Sequence, residues 1–139
     1  MTTRILVPMD QSEMAERALE HALTAYEDPE ITVFHVAGVP SPFLGEAMSL
    51  AMKDDLDEAA EERAEDVFES ARQIAAEYDI EIATAVALGK PAQEIVERAS
   101  EFDTVVLGSH GRDLVDRILF GNVAETVARR APTTVAIVR

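Results

Sequence analysis

Five apolar or β-branched runs alternate with stretches of helical period along this chain, and that alternation restricts the fold more than any other feature. RILVPM, residues 4–9, is a continuous apolar run of the fully buried kind. The others are EITVFHV (30–36), IEIATAVAL (80–88), FDTVVLG (102–108) and TTVAIV, which opens at Thr133 and closes at Val138. After Asp10 and Ser12, the residues Ala15, Ala18, Leu19, Ala22, Leu23 and Tyr26 recur at helical spacing until Asp28-Pro29 breaks the pattern. GVPSPFLG, residues 38–45, reads as a loop. A longer helix follows, with Leu56, Ala60, Ala64, Val67, Ala71, Ile74 and Tyr78 on one stripe. Gly89 and Pro91 open a short helix through Ala99, and a last helix covers residues 122–130. Strands alternating with helices predict a doubly wound α/β domain. Its five-stranded parallel sheet, in the order 3-2-1-4-5, would carry helices on both faces. Such sheets take ligands at the carboxyl ends of their strands, where the strand order reverses.

At 139 residues the chain is expected to form one domain, residues 1–139, with a substantial core. Hydrophobic residues make up 47% and there are only 6 Gly and 6 Pro, a composition for packing rather than disorder. No cysteine is present, so disulfides and thiolate metal sites are excluded and a reducing cytoplasm is the expected setting. MTTRILVPMD lacks a signal-peptide core, and no apolar run approaches the roughly 20 residues of a membrane span. Twenty-seven acids against twelve bases give a net charge of −15, and Lys53 and Lys90 are the only lysines. Such a surface repels nucleic-acid phosphates and anionic lipids, so neither is an expected partner. Adaptation to high salt, as in a halophile, would account for it, because carboxylates keep a surface hydrated while salt screens their repulsion.

Gly108-x2-Gly111-x9-Gly121 follows the fourth apolar run. Gly108 ends a strand, where an approaching ligand would leave no room for a side chain. Gly111 can take a positive φ, and Gly121 stands just before a helix. Asn122 is placed as the N-cap, and Glu125 three residues on completes a capping-box pattern. Free N–H groups in the first turn of that helix, at the positive end of its dipole, form an anion site. Glycines at loop ends also serve as plain turns, so the spacing alone leaves both readings open. The commoner phosphate motifs are absent: Gly89-Lys90 is followed by Pro91, which rules out a Walker A loop, and no G-x-G-x-x-G follows the first strand; nor is GSHG the nucleophile elbow of a hydrolase.

With these residues in view the chain resembles the universal stress protein family nearly end to end. The family's nucleotide-binding branch carries G-x2-G-x9-G followed by Ser or Thr; the three glycines match and Asn122 departs. Pro8, Asp10 and Ser12 resemble its first-strand element, FHV (34–36) the end of its second strand, and GKPAQEIVERA and GNVAETVARRAPTTVAIVR its later blocks. The resemblance implies a pocket for ATP or another adenine nucleotide. Asp10, beside Pro8, would accept from the adenine amino group, and Val36 would meet the base through its backbone. Gly108 and Gly111 would line ribose and phosphates, while Gly121, Asn122 and Val123 would present amides to the phosphates. Mg²⁺ or Mn²⁺ would come bound to those phosphates rather than in a protein cage. The resemblance also implies a homodimer, consistent with an apolar edge strand at 133–138 that proteins seldom leave unpaired. A regulatory protein partner would read the nucleotide state.

Each of these residues has a plainer role beside the functional one. Asp10 could simply cap the first helix, and His35 reads as a satisfied core histidine. His21, His35 and His110 make no metal-ligand spacing. Ser109 and His110 have no acid to orient them, so no catalytic residue is assigned. Arg112 could reach a phosphate or pair with Asp113 or Asp116. Phe43, Leu44, Met48 and Met52 read either as packing under the long crossover or as a mobile flap or partner surface. The acidic run DDLDEAAEERAED is the solvated face of the long helix. At Asn122 the amide can divide its work, Oδ1 accepting the helix N–H while Nδ2 donates to a phosphate oxygen. Two alternatives remain open: a nucleotide-free dimeric interaction module, and an enzyme such as a slow ATPase using the same pocket.

Overall fold

The computed structural model describes residues 2–37, 53–109 and 123–139, with the side chains of residues 53–57, 59 and 60 excepted. Among them five strands and four helices alternate. The strands are β1 (Thr3–Pro8), β2 (Pro29–Ala37), β3 (Ala83–Leu88), β4 (Thr104–Gly108) and β5 (Thr134–Val138). The helices are α1 (Glu13–Ala25), α2 (Lys53–Ala76), α3 (Pro91–Ala99) and α4 (Val123–Arg130). All strand pairs are parallel, as the alternation predicts, and the sheet runs β3-β2-β1-β4-β5, the expected order. Chain direction reverses its spread across the sheet between β1 and β4, so the strand ends there define the crevice where ligands of such sheets sit.

The period-2 geometry of a strand sends alternate residues to opposite faces, and both faces here are apolar. Ile5 and Val7 of β1 join Ile31 and Val33 of β2 against Ala18, Leu19 and Ala22 of α1 and Val67 and Ala71 of α2. Leu6 and Phe34 face the other way, with Ile95 and Ala99 of α3 and Ala124 and Val127 of α4. At the amino end, Asp103 joins the central strands: its carboxylate accepts from Arg4 N–H at 2.8 Å, and its own N–H donates to the Arg4 carbonyl at 2.8 Å.

The end of α2 differs from the sequence expectation. Asp79 takes φ 56°, and Ile80 N–H turns back to the Ala75 carbonyl at 3.2 Å while Asp79 N–H bonds Ala76 at 3.1 Å. That pair of bonds is a Schellman closure. It takes residues 80–82 out of the third strand, which starts at Ala83, and it places Tyr78 beyond the helix. Tyr78 is consequently 40% exposed instead of continuing the buried stripe of Ala64, Val67 and Ala71. The stripe's first two members, Leu56 and Ala60, are among the side chains outside the description. Among the described residues no helix is long and apolar enough to cross a membrane.

Candidate functional site

Parallel crossovers bring the start of each helix to the carboxyl end of the sheet, so β1, β2 and β4 end beside the first turns of α1 and α4. The ladder between β1 and β2 ends with Met9 N–H donating to the Phe34 carbonyl at 2.8 Å. Pro8, half-buried, is in register with Phe34. A proline here donates nothing, and the ladder resumes one residue later. Asp10 follows, half-buried, and its Oδ1 accepts from Ser12 N–H at 2.9 Å. Ser12 is the true N-cap of α1: its backbone is extended (φ −91°, ψ 153°) and its Oγ accepts from Ala15 N–H at 3.1 Å. The capping role weighed for Asp10 therefore falls to Ser12. Asp10 fixes the turn that leads into the cap, its other contacts aside.

Gly108 closes β4 beside this turn, in register with Val138. A Cβ built on it would lie 2.9 Å from the carbonyl carbon, the carbonyl oxygen and the Cβ of Met14. The space that Gly108 leaves is filled by the first turn of α1, which lies directly against the strand end. The sequence reading expects a ligand to approach Gly108; the atoms that stand against it are those of helix backbone and the Met14 Cβ. Serine follows it, and Ser109 N–H donates to the Val138 carbonyl at 2.8 Å, extending the β4–β5 pairing by one residue.

At the end of β2, His35 Nδ1 lies 2.9 Å from the Met9 carbonyl oxygen. Because a carbonyl only accepts, Nδ1 carries the proton. This is the satisfied histidine expected from the sequence, although half-buried at the strand end rather than deep in the core. Val36, next to it, packs on the α3–α4 side of the sheet and pairs with Ala87. Val123 opens α4 with 39% of its surface exposed. Glu125 reaches along that helix to Arg129 at 2.7 Å. Gly111, Gly121 and Asn122 lie outside the described residues, as do His110, Arg112, Asp113 and Asp116 of the same loop and Phe43, Leu44, Met48 and Met52.

The structure thus brings Pro8, Asp10, Val36 and Gly108 to one end of three adjacent strands. It also shows a feature that no spacing pattern announced. A cleft of about 370 Å³ opens between the β1–α1 turn and α2, lined by Asp10, Glu16, Asp66 and Glu69 over Met9 and Val67. Glu16 and Glu69 come from helices distant in sequence, so only the packing of α1 on α2 reveals that the acids converge. Anionic groups are disfavoured on that side of Asp10. Among the described residues, no group of three His, Cys, Asp or Glu side chains could hold a metal ion.

Comparison with known proteins places this arrangement. The model of the Universal stress protein family matches residues 1–139. Universal stress protein MJ0531 of Methanocaldococcus jannaschii is 31% identical over 98% of this chain and 81% of its own length. Universal stress protein UspA from Lactobacillus plantarum is similar in structure, with TM-score 0.82 and 26% identity over 99% of this chain and 97% of that one. Two further solved structures share the fold. One is a universal stress protein in complex with cAMP (TM-score 0.67, 24% identity, 99% of this chain and 96% of that one). The other is the universal stress protein from Archaeoglobus fulgidus in complex with dAMP (TM-score 0.62, 20% identity, 100% and 98%).

Proposed function

The chain belongs to the universal stress protein family, and from that premise we propose that it is a stress-response protein that binds ATP or another adenine nucleotide as one regulatory domain. The observation that carries the reading is the placing of Asp10: a half-buried carboxylate at the end of the central strand β1, one strand from Val36 and one from Gly108. Adenine presents an amino donor at its six-position where guanine presents an oxygen acceptor, so a carboxylate there selects adenine. The cAMP and dAMP held by two fold relatives belong to the same ligand class.

The charges orient the ligand. Glu16, Asp66 and Glu69 disfavour phosphate on the α2 side of Asp10, so the base would lie by Asp10 and Val36 with the phosphates toward Gly108 and α4. There the first-turn N–H groups of α4, beginning at Val123, suit an anion, and Gly111, Gly121 and Asn122 would complete the phosphate side. Mg²⁺ or Mn²⁺ would be carried on the phosphates. Function would be regulatory: the occupied domain presents a different surface from the empty one, and a partner protein discriminates between them. We place the protein in the cytoplasm, which its lack of cysteine suits.

Pairing of two β5 edges about a two-fold would complete the assembly, since Ile137 on that edge is 42% exposed. Sedimentation at micromolar concentration should then show a dimer that Ile137→Lys converts to monomer; a monomeric parent protein counts against it. The nucleotide reading is tested by acid extraction of the purified protein followed by chromatography. Released adenine nucleotide supports it. Steady phosphate release from ATP would favour a slow ATPase instead, and an empty extract together with no thermal shift on adding ATP and Mg²⁺ would leave the dimeric interaction module.

A further inference from the structure

We propose that His35 is the positioning residue for base recognition, holding Asp10 in place through the Met9 carbonyl. Three observations meet at this residue. First, the backbone ladder between β1 and β2 carries Met9 N–H to the Phe34 carbonyl at 2.8 Å, and the bond that continues past this rung is the imidazole's, at 2.9 Å to the Met9 oxygen. Second, His35 follows Ile31 and Val33 on the face turned to α1 and α2, where both are fully buried and apolar. An aliphatic side chain would extend that packing but leave the Met9 carbonyl without this donor, so the imidazole is used for its N–H. Third, the oxygen it holds belongs to the peptide unit joining Met9 to Asp10. That unit is planar, so fixing its oxygen fixes the direction in which the chain enters Asp10.

From there the connection is continuous. Asp10 Oδ1 accepts Ser12 N–H at 2.9 Å, and Ser12 Oγ caps α1 through Ala15 N–H at 3.1 Å. His35 therefore joins the end of β2, where Val36 would meet the base, to the turn that aims the Asp10 carboxylate. A rigid link between the two base contacts is what discrimination at the six-position of a purine needs, because an error of about an ångström forfeits a directional hydrogen bond. This consequence rests on the nucleotide reading; the positioning of Asp10 does not.

The test compares His35→Leu, which removes the donor, with His35→Asn, whose Nδ2 hangs from Cγ as the histidine Nδ1 does. In the unliganded protein, amide exchange of Ser12 should accelerate roughly tenfold in His35→Leu relative to the amides of Val105 and Val106, buried in β4, and return in His35→Asn. A purely structural role would shift all three amides together, which overturns the proposal. Nitrogen-15 shifts of the wild-type ring should show the neutral form protonated at Nδ1; protonation at Nε2 overturns it even if His35→Leu fails to fold. With AMP and IMP as probes, whose bases carry an amino donor and an oxo acceptor at the six-position, the wild-type preference for AMP should fall roughly tenfold in His35→Leu and stay within about threefold in His35→Asn. An unchanged ratio in His35→Leu overturns the proposal and leaves nucleotide binding standing. Wild-type protein that binds neither probe overturns the nucleotide reading, and the Ser12 exchange then decides the role of His35.

Discussion

Replacing Gly108 by alanine separates two explanations of the same glycine. The added methyl would stand 2.9 Å from the Met14 carbonyl carbon, its oxygen and its Cβ, three atoms that no side-chain rotation can withdraw. Overpacking of this kind costs about 1–3 kcal/mol. The loss of glycine's freedom in the unfolded chain returns about 0.4–1 kcal/mol. Taken at the middle of both ranges, a net destabilisation of about 1.3 kcal/mol remains, and at roughly 0.3 kcal/mol per kelvin for a chain of this length it lowers Tm by about 4 °C. Denaturation of the nucleotide-free protein reads this directly. Because the obstructing atoms are backbone and Cβ, Met14→Ala should not relieve the penalty, and a double-mutant cycle should give a coupling below about 0.5 kcal/mol. A Gly108→Ala protein as stable as its parent would refute the packing argument. If nucleotide affinity alone were lost in such a protein, the space would belong to the ligand, as the family resemblance implies.

Three further outcomes follow from local geometry and charge. Ser12→Ala removes the cap of α1 and should cost about 1 kcal/mol, read as a urea midpoint shift, with Ser12→Thr close to the parent. Asp79→Gly should stabilise by about 0.5–1 kcal/mol, because a left-handed residue at φ 56° closes α2 where glycine carries no Cβ penalty; a destabilised variant would contradict the Schellman assignment. With a net charge of −15, Tm should rise between low salt and molar KCl, and a flat response would remove salt adaptation as the reason for the acidic surface.

Element type and both helix layers were legible because the apolar pattern is periodic, whereas alternation alone does not fix the strand order. RILVPM and TVVL, bounded by turn residues, read as strands buried on both faces, and the stripe of Ala64, Val67 and Ala71 as a helix face turned to the core. What stayed hidden was decided by contacts between residues far apart in sequence. Gly108 advertised a close approach but not that the approaching atoms are those of Met14, and the convergence of Glu16 with Asp66 and Glu69 exists only once α1 lies beside α2. The capping roles at Asp10 and Ser12 were ambiguous for a different reason. Both residue types are good caps, and only the extended backbone of Ser12 and its bond to Ala15 N–H decide between them. The start of β3 was misplaced because IEI continues the alternation of ATAVAL, while the turn at Asp79 turns the Ile80 N–H back toward α2. His35 was expected as a satisfied core histidine, but a sequence does not show that the Met9 carbonyl is what satisfies it.

The central claim is that Asp10 makes this a site for adenine nucleotides, and titration calorimetry of nucleotide-stripped protein tests it most directly. ATP with Mg²⁺ should bind saturably and more tightly than GTP. Asp10→Asn, whose amide still offers an oxygen to Ser12 N–H, should keep the fold within about 0.5 kcal/mol while reducing the preference for ATP over GTP by roughly tenfold. Saturable binding with equal affinity for both nucleotides, or a preference untouched by Asp10→Asn, would contradict the account.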